Sequence, residues 1–306
     1  MIGKVFKNTC NKPLGDIVFT DDHYQESVSN EVLRLSRMGW KDWTLNKFSV
    51  KTSPSVQPSE VSFPSDWYNP EVANVEAEGI WAETRALRIQ EFLKENGIRV
   101  IWEVGSGNGN VAIPLRKSGI AVIGIEPLRS GVEGLASNGF AAYWGTLEDL
   151  AFPDASIEAI GIFDVLEHLE QPEIVMTEIR RVLKPGGLLI TTVPANQWLF
   201  SDFDLSIGHF RRYSRKSLQK LLVQNGFSSN KIQYIFLALI LPALILRTIP
   251  YKLGRRKNFK SEIYTNSGLD KLMRILKPLL KAILMVERKL PLPIGLSIIS
   301  CSHKVD

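Results

Sequence analysis

Val100-Ile101-Trp102-Glu103-Val104-Gly105-Ser106-Gly107-Asn108-Gly109-Asn110 is the stretch that decides the fold. An apolar run ends in an acid, and three glycines follow at alternate positions. That order turns a buried strand sharply into a helix and leaves bare backbone facing a ligand. A dinucleotide fingerprint, G-x-G-x-x-G, seats a pyrophosphate on the helix N-terminus. Here the order is E-x-G-x-G-x-G; the leading acid repels a pyrophosphate and can pair with a cationic amino group. A nicotinamide oxidoreductase is disfavoured on that spacing.

The flanking sequence alternates strand and helix. Ile80, Trp81, Ala86, Leu87, Ile89, Phe92 and Leu93 predict a helix over 76–95, stopped by Asn96-Gly97. After the glycines come a helix over 111–118 and an apolar strand, 121–126, that ends in Glu126. An acid about 20 residues past the glycines can accept hydrogen bonds from both hydroxyls of a ribose. Segments 140–144, 157–164 and 188–193 read as further strands, and Pro172 opens a helix that Lys184-Pro185-Gly186-Gly187 ends. Such alternation marks an α/β fold, a parallel sheet with helices on both faces.

Composition is that of a folded globular chain: 306 residues, 44% hydrophobic and 23% charged. The two cysteines, Cys10 and Cys301, form neither a disulfide framework nor a zinc spacing, so no metal is expected and the compartment reads as reducing and cytoplasmic. The first residues lack the pattern of a secretory leader. Residues 1–75 read as an N-terminal extension and linker, with a short helix over 30–38 and turn-rich stretches after Thr52. Residues 76–306 form the main domain.

Five segments together resemble class I S-adenosylmethionine-dependent methyltransferases: Glu103 with its glycines, Glu126, Gly145 to Leu150, Asp164-Val165-Leu166-Glu167-His168, and Leu183-Lys184-Pro185-Gly186-Gly187. The branch they resemble includes ubiquinone-biosynthesis O-methyltransferases and enzymes of glycan and lipid pathways. The resemblance implies a Rossmann-like doubly wound sheet of seven strands, mostly parallel, with the last antiparallel. It implies S-adenosyl-L-methionine as cofactor, with Gly105, Gly107 and Gly109 letting the backbone approach its methionine part and Glu103 turned to the amino end. Glu126 holds the ribose, Leu147 lies against the adenine with Glu148 or a nearby backbone amide at its polar edge, and Asp164 closes the pocket. Thr146 stands where many relatives carry aspartate.

Methyl transfer to a hydroxyl needs alignment and a base, and neutral histidine suits that task. Of four histidines, His168 follows the fourth strand on the cofactor side and is the first candidate. His209 is the rival, in Gly208-His209-Phe210-Arg211-Arg212-Tyr213, which resembles a His-x-Arg-Arg-Tyr signature of the branch after a lid-like loop over 198–207. Arg211 and Arg212, with Tyr213, are candidates to hold an acidic group of the acceptor, or the arginines pair with Asp202 or Asp204. His23 and His303 read as surface residues.

Between a sixth strand beginning near Phe227 and a seventh over 296–301 lies an insertion, 236–290. Its run from Ile235 to Leu246 is apolar but too short to span a bilayer, and basic residues from Arg247 to Lys260 follow. Leu272, Ile275, Leu276, Leu279, Leu280, Ile283 and Val286 then share a helical face opposite Arg274, Lys277, Lys281 and Arg288. The pair of segments suits an anionic headgroup layer; the alternative is a cover packed on the sheet edge. Without interleaved aromatics the basic patch does not suit nucleic acid. The expectation is O-methylation of a lipid-linked, glycolipid or quinone-type acceptor at the inner face of a membrane; a small soluble acceptor and a non-catalytic adaptor are the alternatives.

Overall fold

The computed structural model describes residues 6–7, 13–14, 22–39, 80–228, 231–255 and 268–306. Readings made on 40–79 and on Arg256, Lys257 and Lys260 fall outside them, as do the side-chain assignments over 268–277.

Seven strands make one sheet: β1 Val100–Val104, β2 Ala121–Glu126, β3 Ala141–Trp144, β4 Ile157–Phe163, β5 Leu183–Pro194, β6 Lys231–Ile235 and β7 Ser297–His303. Their order is β3-β2-β1-β4-β5-β7-β6. The pairs from β3 through β5 are parallel, and β7 runs antiparallel between β5 and β6. Successive strands step outward one way from β1 and the other way from β4. Ligands of such sheets bind beyond the carboxyl ends of the strands at this switch, which places the glycine turn after β1 in the crevice. β2 is buried at all six positions, as the continuous apolar run of a strand covered on both faces should be.

Helices α1 Asp22–Arg37, α2 Ile80–Glu95, α3 Ala112–Arg116, α4 Arg129–Ser137 and α5 Pro172–Val182 cover the sheet. In α5, Pro172 stands at the first turn while Val175, Met176, Ile179 and Val182 are buried at helical spacing. Each such side chain contributes about 1.5–3 kcal/mol on burial. The helix expected over 30–38 is longer and docked: Tyr24 Oη donates to Val122 O at 2.6 Å and accepts from Ala141 N at 3.2 Å, and Leu35 is fully buried.

Three local expectations are corrected. Leu183 is already in β5, paired with Ile157, and the Pro-Gly-Gly stretch is a bulge before Leu188 pairs with Ala159. The sixth strand begins at Lys231, and Phe227 makes only an isolated bridge to Lys304. The stretch 198–207 is ordered into a 3-10 turn, Gln197–Leu199, and helix α6, Asp202–Ser206, because Ser201 and Asp204 form a capping box. Helix α7, Arg215–Gln224, follows.

The described parts of the insertion are largely helical. Ile240–Ala243, the π-helical Leu244–Thr248 and Ile249–Lys252 run on through helical backbone as one rod, α8, and α9 is Gly268–Glu287. Pro242 sits in the first turn, where it costs no hydrogen bond. Phe236 turns the chain off β6 with φ 67°, its ring stacked on Trp81 at 4.2 Å, and Glu287 of α9 accepts from Leu237 N at 3.0 Å and Ala238 N at 2.7 Å. No helix among the described residues is long and apolar enough to cross a membrane.

Candidate active site

The floor of the crevice is built by the carboxyl ends of β1, β2 and β4. Gly105 has φ 71°, and a Cβ there would lie 2.5 Å from Val165 Cγ2, so only glycine fits between the turn and the segment after β4. Gly109 has φ 89°, and a Cβ there would lie 3.0 Å from Leu135 of α4. Gly107 N donates to Glu126 Oε2 at 2.8 Å and Leu128 N to Oε1 at 2.9 Å. Burial pushes the Glu126 carboxyl up to about 7 against these two bonds. Glu103, 2% exposed, is pushed up to about 8, first by burial; Arg85 opposes this and Glu126 adds to it. Its Oε2 has no hydrogen-bond partner.

Arg85 comes from α2 and pairs with the carboxylate of Asp164, which also accepts from Thr192 Oγ1 at 3.1 Å. Asp164 itself has φ 53°, a conformation that aspartate tolerates better than most residues. Reasoning from sequence missed Arg85. The available signal was an arginine in register with the buried Ala82, Ile89 and Phe92. The adenine candidates divide: Leu147 is fully buried in the core, Glu148 is exposed, and Thr146 closes its turn through Asp149 Oδ2 at 2.8 and 2.9 Å.

This floor fits S-adenosylmethionine. Glu103 keeps a buried oxygen without a partner for a cationic group. Each Glu126 oxygen, bonded once, has a lone pair left for a hydroxyl.

A second cluster follows the carboxyl end of β4. The 3-10 turn Leu166–His168 after β4 carries Glu167 and His168, and the end of the lid carries His209. The rings of His168 and His209 meet edge-on, 4.6 Å apart. His209 Nδ1 lies 2.8 Å from Asp204 Oδ1, and its Nε2 is 3.8 Å from Glu167 Oε1, too far for a hydrogen bond. Asp204 also receives Arg212 Nε at 2.7 Å, Arg212 Nη2 at 3.1 Å and Ser201 N at 2.9 Å. Burial pushes Asp204 up, but the bond from His209 and the charge and bonds of Arg212 outweigh it and hold the carboxyl below its ordinary value.

His168 and Glu167 are shifted the other way. Burial first, then the nearby His209, depress His168 to about 3, against a bond with the Gly208 backbone. Glu167 is fully buried with neither oxygen bonded; burial and the charge of Asp164 push it well above the carboxylate range.

The arginines and tyrosine read as acceptor-binding residues are spent inside the protein. Arg212 is held on Asp204, in a buried pairing where a solvated one was the alternative expectation. Arg211 donates to the carbonyls of Leu169 at 3.1 Å and Glu170 at 2.7 Å, and the buried Tyr213 hydroxyl donates to Leu166 O at 3.1 Å. His303 is half-buried with Nδ1 3.1 Å from Gly186 O, and the His23 side chain lies outside the described residues. No metal spacing is visible in the sequence, yet the fold gathers Glu167, His168 and His209 with ligand atoms within 4.8 Å of one another, a group that could hold an ion.

Residues 80–230, about half of the chain, match the family model described as "Methyltransferase domain". A probable S-adenosylmethionine-dependent methyltransferase of Mycolicibacterium smegmatis is 29% identical over 155 residues, which are 49% of this chain and 60% of that protein. An uncharacterized methyltransferase of Mycobacterium bovis is 30% identical over 131 residues, 39% of this chain and 51% of that protein. The chain thus spans between half and three fifths of the length of these curated relatives. Among solved structures, a chain of the complex between the Haloferax volcanii Trm112 methyltransferase activator and a protein assigned as a methyltransferase superposes with a TM-score of 0.51. It is 16% identical, and the match covers 79% of this chain and 97% of that one, a likeness of fold.

Proposed function

Residues 80–230 being a class I, S-adenosylmethionine-dependent methyltransferase domain, we propose that the protein methylates a hydroxyl of a lipid-linked acceptor, with His209 as the base. S-adenosylmethionine, when bound, supplies an electrophilic methyl group on a positive sulfur. The chain's own residues bind and orient: Glu103 faces the cationic amino end, Glu126 the ribose, and the glycine turn gives backbone room. His209 takes the hydroxyl proton on Nε2. Asp204 fixes the ring through Nδ1 and offsets the positive charge that forms.

The observation that carries this reading is the pairing of His209 with a buried, fully bonded Asp204, its ring set against His168 in the turn that follows β4. His168, depressed to about 3, stays neutral and is the weaker base; its place is beside the acceptor, packed edge-on against His209. The lipid half rests on apolar exposure near the lid. Trp198 and Leu205 of the lid and Phe210 just after it are exposed, as are Leu241, Ile245 and Ile249 of α8 and Leu253 at its C-cap, spaced by four along one stripe. The same stripe supports the reading of 236–290 as a peripheral contact with a cytoplasmic membrane face.

The test is transfer of labelled methyl from S-adenosylmethionine into a membrane extract, followed by organic and aqueous partition. Label in the organic phase that disappears with His209→Ala is the expected result. Aqueous label alone overturns the lipid acceptor, and no label with intact cofactor binding favours an adaptor. A second reading, in which a divalent cation on Glu167, His168 and His209 activates the hydroxyl, is favoured by the convergence of those three ligand atoms. Full turnover in the presence of a chelator removes it.

A further inference from the structure

Among the described residues beside the lid, Arg247 carries a charge that the fold leaves unanswered. It lies in the π-helical turn of α8, a geometry that interrupts helices mostly at functional positions. Its guanidinium carbon stands 3.9 Å over the ring of Phe203 in α6. Beside it, Thr248 Oγ1 donates to Leu199 O at 3.0 Å and ties the same turn to the lid. Among the described residues, no hydrogen bond or ion pair reaches the guanidinium, and the one carboxylate in its field, Asp204, is already occupied by Arg212 and His209. A half-buried cation is costly unless an anion completes it. An aromatic face can hold its plane but leaves the five N–H donors open.

The outer face of the same helix carries the stripe Leu241, Ile245, Ile249 and Leu253. Arg247 is half a turn from that stripe, so the helix presents hydrocarbon to the outside and one fixed cation toward the lid. A guanidinium matches the oxygen edge of a phosphate with two parallel hydrogen bonds. We infer that Arg247 binds a phosphate group of the acceptor, so that the substrate is a phosphate-bearing lipid whose headgroup reaches past α8 while its chain stays on the apolar stripe. This deepens the reading of a lipid-linked acceptor and rests on it.

The experiment is a binding titration of the full-length protein, followed by the fluorescence of its tryptophans; Trp198 on the lid is 41% exposed and adjoins the site. The probes are dihexanoyl phosphatidate, dihexanoyl glycerol and inorganic phosphate, each against the wild type, Arg247→Lys and Arg247→Met. Phosphatidate is expected to bind the wild type, to lose roughly 10- to 100-fold in Arg247→Met and less in Arg247→Lys, while the neutral glyceride does not distinguish the three proteins. Equal phosphatidate binding by wild type and Arg247→Met overturns the proposal. Inorganic phosphate binding as tightly as phosphatidate overturns its lipid half and leaves a free phosphate as the source. S-adenosylmethionine affinity, measured separately by calorimetry, is expected to be equal in all three proteins. Arg247-dependent phosphatidate binding without cofactor binding would remove the methyltransferase reading and leave the phosphate site standing; a change in cofactor affinity with Arg247→Met would show a general collapse of the crevice and overturn the assignment.

Discussion

Glu103 and Asp204 are both carboxylates taken out of water, and they are treated in opposite ways. Asp204 is bonded by His209, Arg212 and Ser201, and it stays ionised. Glu103 has an oxygen with no partner and is pushed up to about 8. A buried carboxylate that the fold has satisfied holds other groups in place; one that the fold has left short is ready for a ligand. In the proposed reading the site has a finished side, which positions the base, and an unfinished side, which is left for the cofactor.

The largest effect should come from undoing the finished side. Asp204→Asn leaves Arg212 without its carboxylate and frees the His209 ring. Turnover is expected to fall by roughly 10²–10⁴-fold, with cofactor affinity unchanged and a stability loss of about 3–5 kcal/mol in urea melts. His209→Ala should match the loss of turnover but not the loss of stability. If instead His209→Ala spares turnover and His168→Ala does not, the base belongs to His168.

Removing the unfinished side should show in binding. Glu126→Ala is expected to weaken S-adenosylmethionine by roughly 10- to 100-fold in calorimetry with the fold intact by circular dichroism. Unchanged affinity would take the ribose role from Glu126.

A pH scan separates the two sides further. The folded protein holds protons on Glu103 and Glu126 up to about 8 and about 7, whereas the unfolded chain releases them near the ordinary glutamate value. More protons are bound in the folded state across that interval, so stability without cofactor falls as pH rises from about 4.5 to about 8. The melting temperature should drop over this range, and Glu103→Gln should flatten the drop while weakening cofactor binding. Asp204 acts in the reverse sense and at lower pH: its contribution is present above the ordinary aspartate range and is lost on acidification below it.

The smallest change in the fold is expected from Ile245→Glu on α8. Ile245 is 52% exposed, so stability should move by no more than about 0.5 kcal/mol. Flotation with anionic vesicles should nevertheless be lost; retained flotation would turn the stripe into a cover for some other surface.

The unfinished side was largely legible in the sequence, and the finished side was not. Glu103, the three glycines and Glu126 are read locally, because a strand end, a sharp turn and an acid are each properties of a few consecutive residues. Arg85 meets Asp164 across 79 residues, and no local pattern announces that. Asp204 and His209 are only five apart, but the spacing has no helical or strand period, and the loop reading over 198–207 hid the Ser201–Asp204 capping box that aims the carboxylate. Arg212 was given two destinations and took the internal one. The seven strands follow from apolar runs between breakers. The start of β6 does not, because Phe227 is as apolar as a strand residue and only its single bridge to Lys304 keeps it out.

Phe236 O accepts from Leu296 N at 3.3 Å, directly beyond the β6–β7 pair of Ile235 with Ser297. The insertion thus leaves and rejoins the sheet at one point, between two antiparallel neighbours. In engineering terms it is a cassette. Exchange of residues 237–295 for another segment is expected to leave the register of β6 on β7 in place, provided that the cover Leu284 gives the core is replaced.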